Sequence, residues 1–235
     1  MRIAKFISHS GYCSRRDADK LIFKNKVKIN SVVCNNPATK ILKTDLVTIN
    51  NKKFELQIKI RIWKFNKPIG IISSKKDEIG RKTIFNLLPK SLLNIISIGR
   101  LDINSEGLIL LTNNGDLARH FELPKSNFER VYKVRIQGKV DKIKLKELEK
   151  GIMVDKIKYK PIYAKLLKQM GSNAWIEMKL TEGKNREIRK ICSSYGWRVN
   201  RLIRIKFGEF HIGNLKPGNI KEIKKHNYND KDYWR

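Results

Sequence analysis

Apolar residues recur at helical spacing from the start of the chain. Residues 2–10 place Ile3, Phe6 and Ile7 on one face, and Gly11 is available to end the turn. Ser14 then reads as an N-cap, with Asp17 at the third helical position to meet the exposed N–H groups. The helix it opens, about 15–24, buries Ala18, Leu21 and Ile22 and leaves Arg15, Arg16, Asp19 and Lys20 mostly on other faces. Short alternating segments follow at 27–29, 32–33 and 46–49, separated by Asn30-Ser31 and Asn35-Asn36-Pro37. The pattern predicts a compact helix–helix–strand unit over residues 1–60.

The texture changes to strands with intermittent helices beyond that point. Residues 60–65 and 70–73 read as strands interrupted at Lys67-Pro68, and 83–88 as a short helix closed by Pro89. Residues 95–98 and 107–112 are apolar runs of strand length around a polar loop, and 116–123 is helical. Residues 130–140 alternate, with Tyr132, Val134 and Ile136 on one face. A helix over 142–150, ended by Gly151, precedes further strands, including 175–181. The spacing of Ile188, Ile191, Cys192 and Tyr195 predicts a helix over 185–195, stopped by Gly196. No regular alternation of strand and helix is present, so the expected class is α+β, with a mixed, mainly antiparallel sheet. The expected organisation is a small N-terminal domain (1–60), a larger domain (61–225) and a polar, frayed C-terminal tail (226–235).

Composition narrows the function. The 235 residues include 52 Lys+Arg against 22 Asp+Glu, a formal net charge of +30, while 40% are hydrophobic. That is enough apolar material for a core, so the charge sits on a folded body that attracts polyanions. Nucleic acid is the leading partner, and an anionic membrane surface or an acidic protein is the alternative. A lysine-rich coding bias accounts for excess lysine, but not for the clusters Arg15-Arg16, Arg186/Arg189 and Arg198/Arg201/Arg204. No apolar run reaches the ~18–20 residues that span a bilayer. The three cysteines and four histidines show neither CxxC nor ligand spacing, so neither a disulfide scaffold nor a metal site is expected. Without the apolar core of a secretory signal, the expected location is the cytoplasm.

The most informative segment is GRLDINSEGLILLT at 99–112. A carboxylate, Asp102, stands two residues after Arg100 in a polar loop between apolar strands, where catalytic groups tend to be held. A guanidinium nearby keeps such a carboxylate ionised. Read from residues alone, the loop is either a catalytic site or a turn with a surface ion pair.

Five further stretches accompany it in order: SRRDADKLI (14–22), NKPIGIISS (66–74), ERVYKVRIQGKV (129–140), EGKNREIRKI (182–191) and VNRLIRIKFG (199–208). Together with the loop, they make the chain resemble the bacterial ribosomal RNA pseudouridine synthases of the RsuA/RluB type, from about residue 2 to 220. The first stretch is similar to the αL-type RNA-binding motif of small-subunit ribosomal protein four. The resemblance implies Asp102 as the catalytic aspartate, Tyr132 packing on the flipped uracil, Arg189 pairing with the aspartate, Arg100 keeping the site open to RNA, and Leu202 lining the base pocket. It also implies RNA contacts at Arg15, Arg16, Lys20, Arg186 and Lys190. Ser105 stands where threonine is usual, and Glu187 where glutamine is common.

The implied reaction breaks the N1–C1′ glycosidic bond, rotates the uracil and rejoins it through C5. It requires no metal, redox step or cofactor, and none is expected. The carboxylate can act as nucleophile at the sugar or as the base for the 2′ proton. The expected partner is ribosomal RNA or an assembly intermediate, of the large subunit in preference to the small, with no membrane, and the chain is expected to be a monomer. The competing reading is a non-catalytic RNA-binding ribosome-assembly factor, which would not need Arg100, Asp102, Tyr132 and Arg189 together.

Overall fold

The computed structural model describes residues 1–54, 60–75, 77–92, 94–224 and 228. Two helices, α1 (Ile3–His9) and α2 (Arg15–Phe23), open the chain. The Ser14 side chain accepts the Asp17 N–H, as the cap pattern predicts. Both helices pack on a four-stranded antiparallel sheet of β1 (Val27–Ile29), β2 (Val32–Val33), β3 (Val47–Ile49) and β4 (Lys52–Phe54), ordered β2-β1-β3-β4. Ile3, Phe6, Ile7, Ala18, Ile22 and Val47 are buried together between them, while Leu21 is only partly covered. Ile60, counted by the sequence with this unit, packs instead with Ile62, Ile98 and Leu108 of the larger domain. The two domains meet where Lys5 of α1 pairs with Asp116 at 2.6 Å.

The larger domain is built on a mixed sheet. Its principal strands are β5 (Ile62–Lys67), β6 (Ile96–Ile98), β7 (Glu106–Thr112), β8 (Arg130–Gln137), β11 (Tyr163–Met170), β12 (Asn173–Leu180), β13 (Arg198–Phe207) and β15 (Ile220–Glu222). Two smaller antiparallel pieces complete it: the pair β9 (Ile152–Val154) and β10 (Ile157–Tyr159), and β14 (Phe210–His211) on β13. The order is β11-β12-β8-β13-β7-β5-β15, in which β13 and β7 run parallel and the other described neighbours antiparallel.

Period-two alternation buries both faces. Ile109 and Leu111 enter one core with Tyr132, Val134 and Ile136, and Leu108 and Leu110 enter the other with Phe121 and Phe207. Helix α3 (Gly115–Glu122), capped by Asn114, lies on the second face. Helices α4 (Lys142–Glu147) and α5 (Glu187–Ser194) lie on the first, α5 burying Ile188, Ile191 and Cys192 as its spacing predicts.

Two local expectations are corrected. Residues 70–73 form no strand; only Ile72 bridges to Thr83, whose own segment caps a 3₁₀ turn at Ile84–Leu87. The strand before Pro68 runs two residues past its expected end and stops at Lys67, which is fully buried. The tail 226–235 lies outside the described residues except for Tyr228, whose ring packs 5.2 Å from that of Phe121.

Candidate active site

Strand β7 changes partners along one edge. Its C-terminal half pairs with β6, while Glu106 and Gly107 pair with β13. The chain between β6 and β7 therefore loops out of the sheet where β13 arrives, and this loop carries Asp102. Every backbone carbonyl from residue 101 to 105 is held. Ser73 Oγ donates to Leu101 O at 2.8 Å and accepts from Leu101 N at 3.1 Å. The Ser105 N–H reaches Asp102 O at 2.9 Å, and the Gly70 N–H reaches Ile103 O at 2.9 Å. Arg189 Nη2 donates to Asn104 O at 2.7 Å, and Lys67 Nζ to Ser105 O at 2.7 Å, to Ile103 O and to Pro68 O. A loop held this way presents its carboxylate in one place, which is the preorganisation that catalysis requires.

The Asp102 carboxylate is half-buried, and among the described residues no hydrogen bond or ion pair within 4 Å engages it. The expected Asp102–Arg189 pair is thus replaced. The guanidinium spends its Nη groups on Asn104 O and, at 3.2 Å, on Val199 O. Charge still connects them, since Asp102 favours the charged forms of both Arg189 and Lys67. Burial outweighs that for Lys67 and lowers its pKa to about 8.

Asp102 opens onto a cavity of about 520 Å³, large enough for a nucleotide. Arg100, Tyr132, Leu202 and Arg186 line it as the resemblance implies. Tyr132 and Leu202 project from the adjacent strands β8 and β13 and are buried apart from the faces they turn to the cavity. Arg189 stands behind the loop rather than in this cavity, and Lys190 lines neither this cavity nor the smaller one behind it. Arg15, Arg16 and Lys20 lie exposed on α2 in the other domain.

Sequence reasoning gave no place in the site to three cationic groups, although it counted Arg204 in an arginine cluster. Lys67 is the anchor already described. Arg130 and Arg204 both line the cavity and flank the Phe207 ring, at 4.7 and 5.1 Å. Arg204 is buried; its Nε donates to Leu108 O at 2.7 Å, and its Nη2 has no partner. The signal for Arg204 was available, because alternation puts it on the same face of β13 as Leu202. Its Nη2 is itself buried, so Arg204 acts on the cavity through its charge.

Glu187 also faces this cavity and is buried. It accepts the Lys184 N–H at 2.9 Å, but burial, with Glu182 nearby, pushes its pKa up to about 7. The unfolded chain gives up this proton near 4.5. The folded state therefore loses stability as pH rises from there to about 7 and regains none above, a cost approaching ~3 kcal/mol. Glu187→Gln keeps an oxygen for the Lys184 N–H and removes the titration. It should be more stable than wild type at pH 8 and similar to it at pH 4.5 in urea unfolding. Parallel pH profiles for the two proteins would contradict this assignment.

An anionic carboxylate on a rigid loop, beside a cavity walled by an aromatic face, an aliphatic side chain and buried guanidinium groups, suits chemistry at the sugar of a flipped nucleotide. Comparison with known proteins gives the class. Residues 61–194 match the RNA pseudouridylate synthase family and residues 1–53 the S4 domain. The chain belongs to the RNA pseudouridylate synthases, isomerases that act on uridine in RNA. It is 50% identical over 222 residues to an uncharacterized RNA pseudouridine synthase of Rickettsia felis, covering 94% of this chain and 96% of that one. It is 33% identical over 227 residues to the ribosomal large subunit pseudouridine synthase B of Bacillus subtilis, covering 96% and 93%. A solved pseudouridylate synthase superimposes with a TM-score of 0.67 at 25% identity, covering 95% of this chain and 96% of that one. Among the described residues no helix is long and apolar enough to cross a membrane.

Proposed function

We propose that this protein converts a uridine of large-subunit ribosomal RNA to pseudouridine, acting in the cytoplasm as a monomer on free RNA or on an assembly intermediate. The observation that carries the reading is the unengaged Asp102 carboxylate on a loop whose carbonyls are all tied down, at the mouth of the cavity that Tyr132 and Leu202 line. In this reading the uridine leaves its stack and enters the cavity. Tyr132 stacks on it, offsetting part of the few kcal/mol that unstacking costs. Leu202 packs against its edge, and Arg100 holds the RNA at the entrance. Arg130 and Arg204 supply positive potential to the cavity they line. Asp102 performs the step at the sugar that releases the base. The large-subunit assignment rests on full-length similarity to relatives named for that substrate.

Pseudouridine mapping of ribosomal RNA from a strain lacking the protein tests this. One large-subunit pseudouridine should vanish and return with the wild-type gene. An unchanged map would favour the assembly-factor reading.

The S4 domain supplies affinity through Arg15, Arg16 and Lys20 of α2. Removing residues 1–54 leaves Ile60 to close the catalytic core. It should weaken ribosomal RNA binding and flatten the dependence of log affinity on log salt by ~0.9 per lost phosphate contact. Equal slopes for the full chain and the truncated protein would remove the domain from the RNA interface.

A further inference from the structure

Arg189 and Ser193 lie one turn apart on α5, and Arg186 is the residue that caps its N-terminus. With Gly196 and Trp197 and the first two residues of β13, Arg198 and Val199, they enclose a second cavity of about 340 Å³. Three arginines line it, Arg186, Arg189 and Arg198, and the Arg186 charge bears directly on Arg189. Among the described residues none of them has a carboxylate within 4 Å, whereas neighbouring Arg201 is paired with Glu106. Arg189 is the innermost. Its Nη groups are spent on Val199 O and Asn104 O, and its buried Nε donates to nothing. Burial and the adjacent Arg186 charge both push its pKa down. Clustered, unneutralised guanidinium groups in a concavity repel one another until an anion fills it, and a phosphate matches their fork geometry.

The position identifies the anion. Arg186 lines both cavities, and Arg189 joins the second cavity to the loop that carries Asp102. An anion held in the second cavity therefore sits beside the sugar of a nucleotide held in the first. We infer that this second cavity is a phosphodiester subsite, holding a backbone phosphate of the RNA strand that adjoins the uridine in the first cavity. The inference rests on the proposed function for the identity of the strand. Such a contact carries no base preference; it fixes the register of the RNA and with it the sugar at Asp102.

The test uses the full-length protein and a labelled twelve-nucleotide oligouridylate, with affinity measured across a potassium chloride series. Each phosphate contact to a single strand contributes ~0.7 to the slope of log affinity against log salt. Arg198→Gln is exposed and removes one wall of the cavity; Arg198→Lys preserves its charge. Arg198→Gln should bind about tenfold more weakly than wild type, and Arg198→Lys should keep the wild-type slope. Arg186→Gln combined with Arg198→Gln should lose a total of ~0.7 in slope, because both residues serve one phosphate. A wild-type slope in the double variant would overturn the subsite. A loss of ~1.4, the mark of two separate surface contacts, would overturn it equally. Inorganic phosphate is titrated in parallel at constant ionic strength. Tight phosphate binding with an unaltered oligouridylate slope would assign the cavity to a free anion, against the inference. Tritium release from ribosomal RNA labelled at uridine C5 is scored separately. Its absence in wild type would defeat the proposed function, whereas the oligouridylate slopes judge the subsite alone.

Discussion

Asp102→Asn should abolish isomerisation while leaving the fold and most of the RNA affinity in place. The reason lies in how the loop is held. Its carbonyls are fixed by Ser73, Gly70, Ser105, Lys67 and Arg189, and the Asp102 side chain takes no part in that network. Asparagine is nearly isosteric, so the loop has no cause to move. It is neutral, however, and can neither attack the sugar as an anion nor remove the 2′ proton. A rate loss of at least ~10⁴-fold is expected, at the upper end for removal of a single acid–base group and larger if the carboxylate is a nucleophile. Phosphate contacts elsewhere dominate affinity, so a filter-binding titration should give a dissociation constant near that of wild type. Loss of one anion from a basic site can only favour RNA. Tritium release from C5-labelled uridine reads the chemistry directly. Full turnover by the variant would refute the assignment of Asp102.

The parts of this site legible in the sequence are those set by local periodicity. The alternation of Tyr132, Val134 and Ile136 put one face of β8 into the core, and three positions on α5, Ile188, Ile191 and Cys192, located its buried stripe. Ser14 announced its own helix. What failed depended on partners distant in the chain. The strand does stop at Lys67-Pro68, but nothing local shows that Lys67 is buried. Its ammonium is accommodated by carbonyls 36 and 38 residues away. Residues 70–73 have strand composition, but the Gly70 N–H and the Ser73 hydroxyl are committed to the Asp102 loop, so no ladder forms. The pairing of Arg189 with the aspartate came from the resemblance alone. The geometry makes Arg189 a brace for the loop backbone, which acts on Asp102 only through space. Removing Arg189 would therefore loosen the loop rather than strand a paired charge.

Gly107→Ala is expected to be the most destabilising single-methyl change in this region, and it would disable the site through the scaffold. Gly107 is paired on both sides, with Lys67 on β5 and with Arg204 on β13. Its φ of +101° is a conformation that L residues rarely adopt, and a Cβ there would lie 2.3 Å from Arg204 O and 2.8 Å from Arg204 N. Those atoms are backbone, so no rotamer change relieves the clash; either β13 moves away or Gly107 leaves the sheet. Strain of ~1–3 kcal/mol and overpacking of similar size add to roughly 3–5 kcal/mol. That is a large part of the ~5–15 kcal/mol that holds a domain folded. Either displacement also carries Arg204 and Leu202 out of the cavity wall, since both lie on β13 beside the contact. The comparison is Gly171→Ala, at the turn between β11 and β12. There φ is +56° and a Cβ would meet nothing within 4 Å, so only the ~1–2 kcal/mol of a left-handed alanine is lost. Urea unfolding of the two variants should show a markedly larger drop in midpoint for Gly107→Ala, with a parallel fall in soluble yield and tritium release. Equal midpoints would mean that β13 yields without cost, and that the close approach of β7 and β13 does not fix the cavity wall.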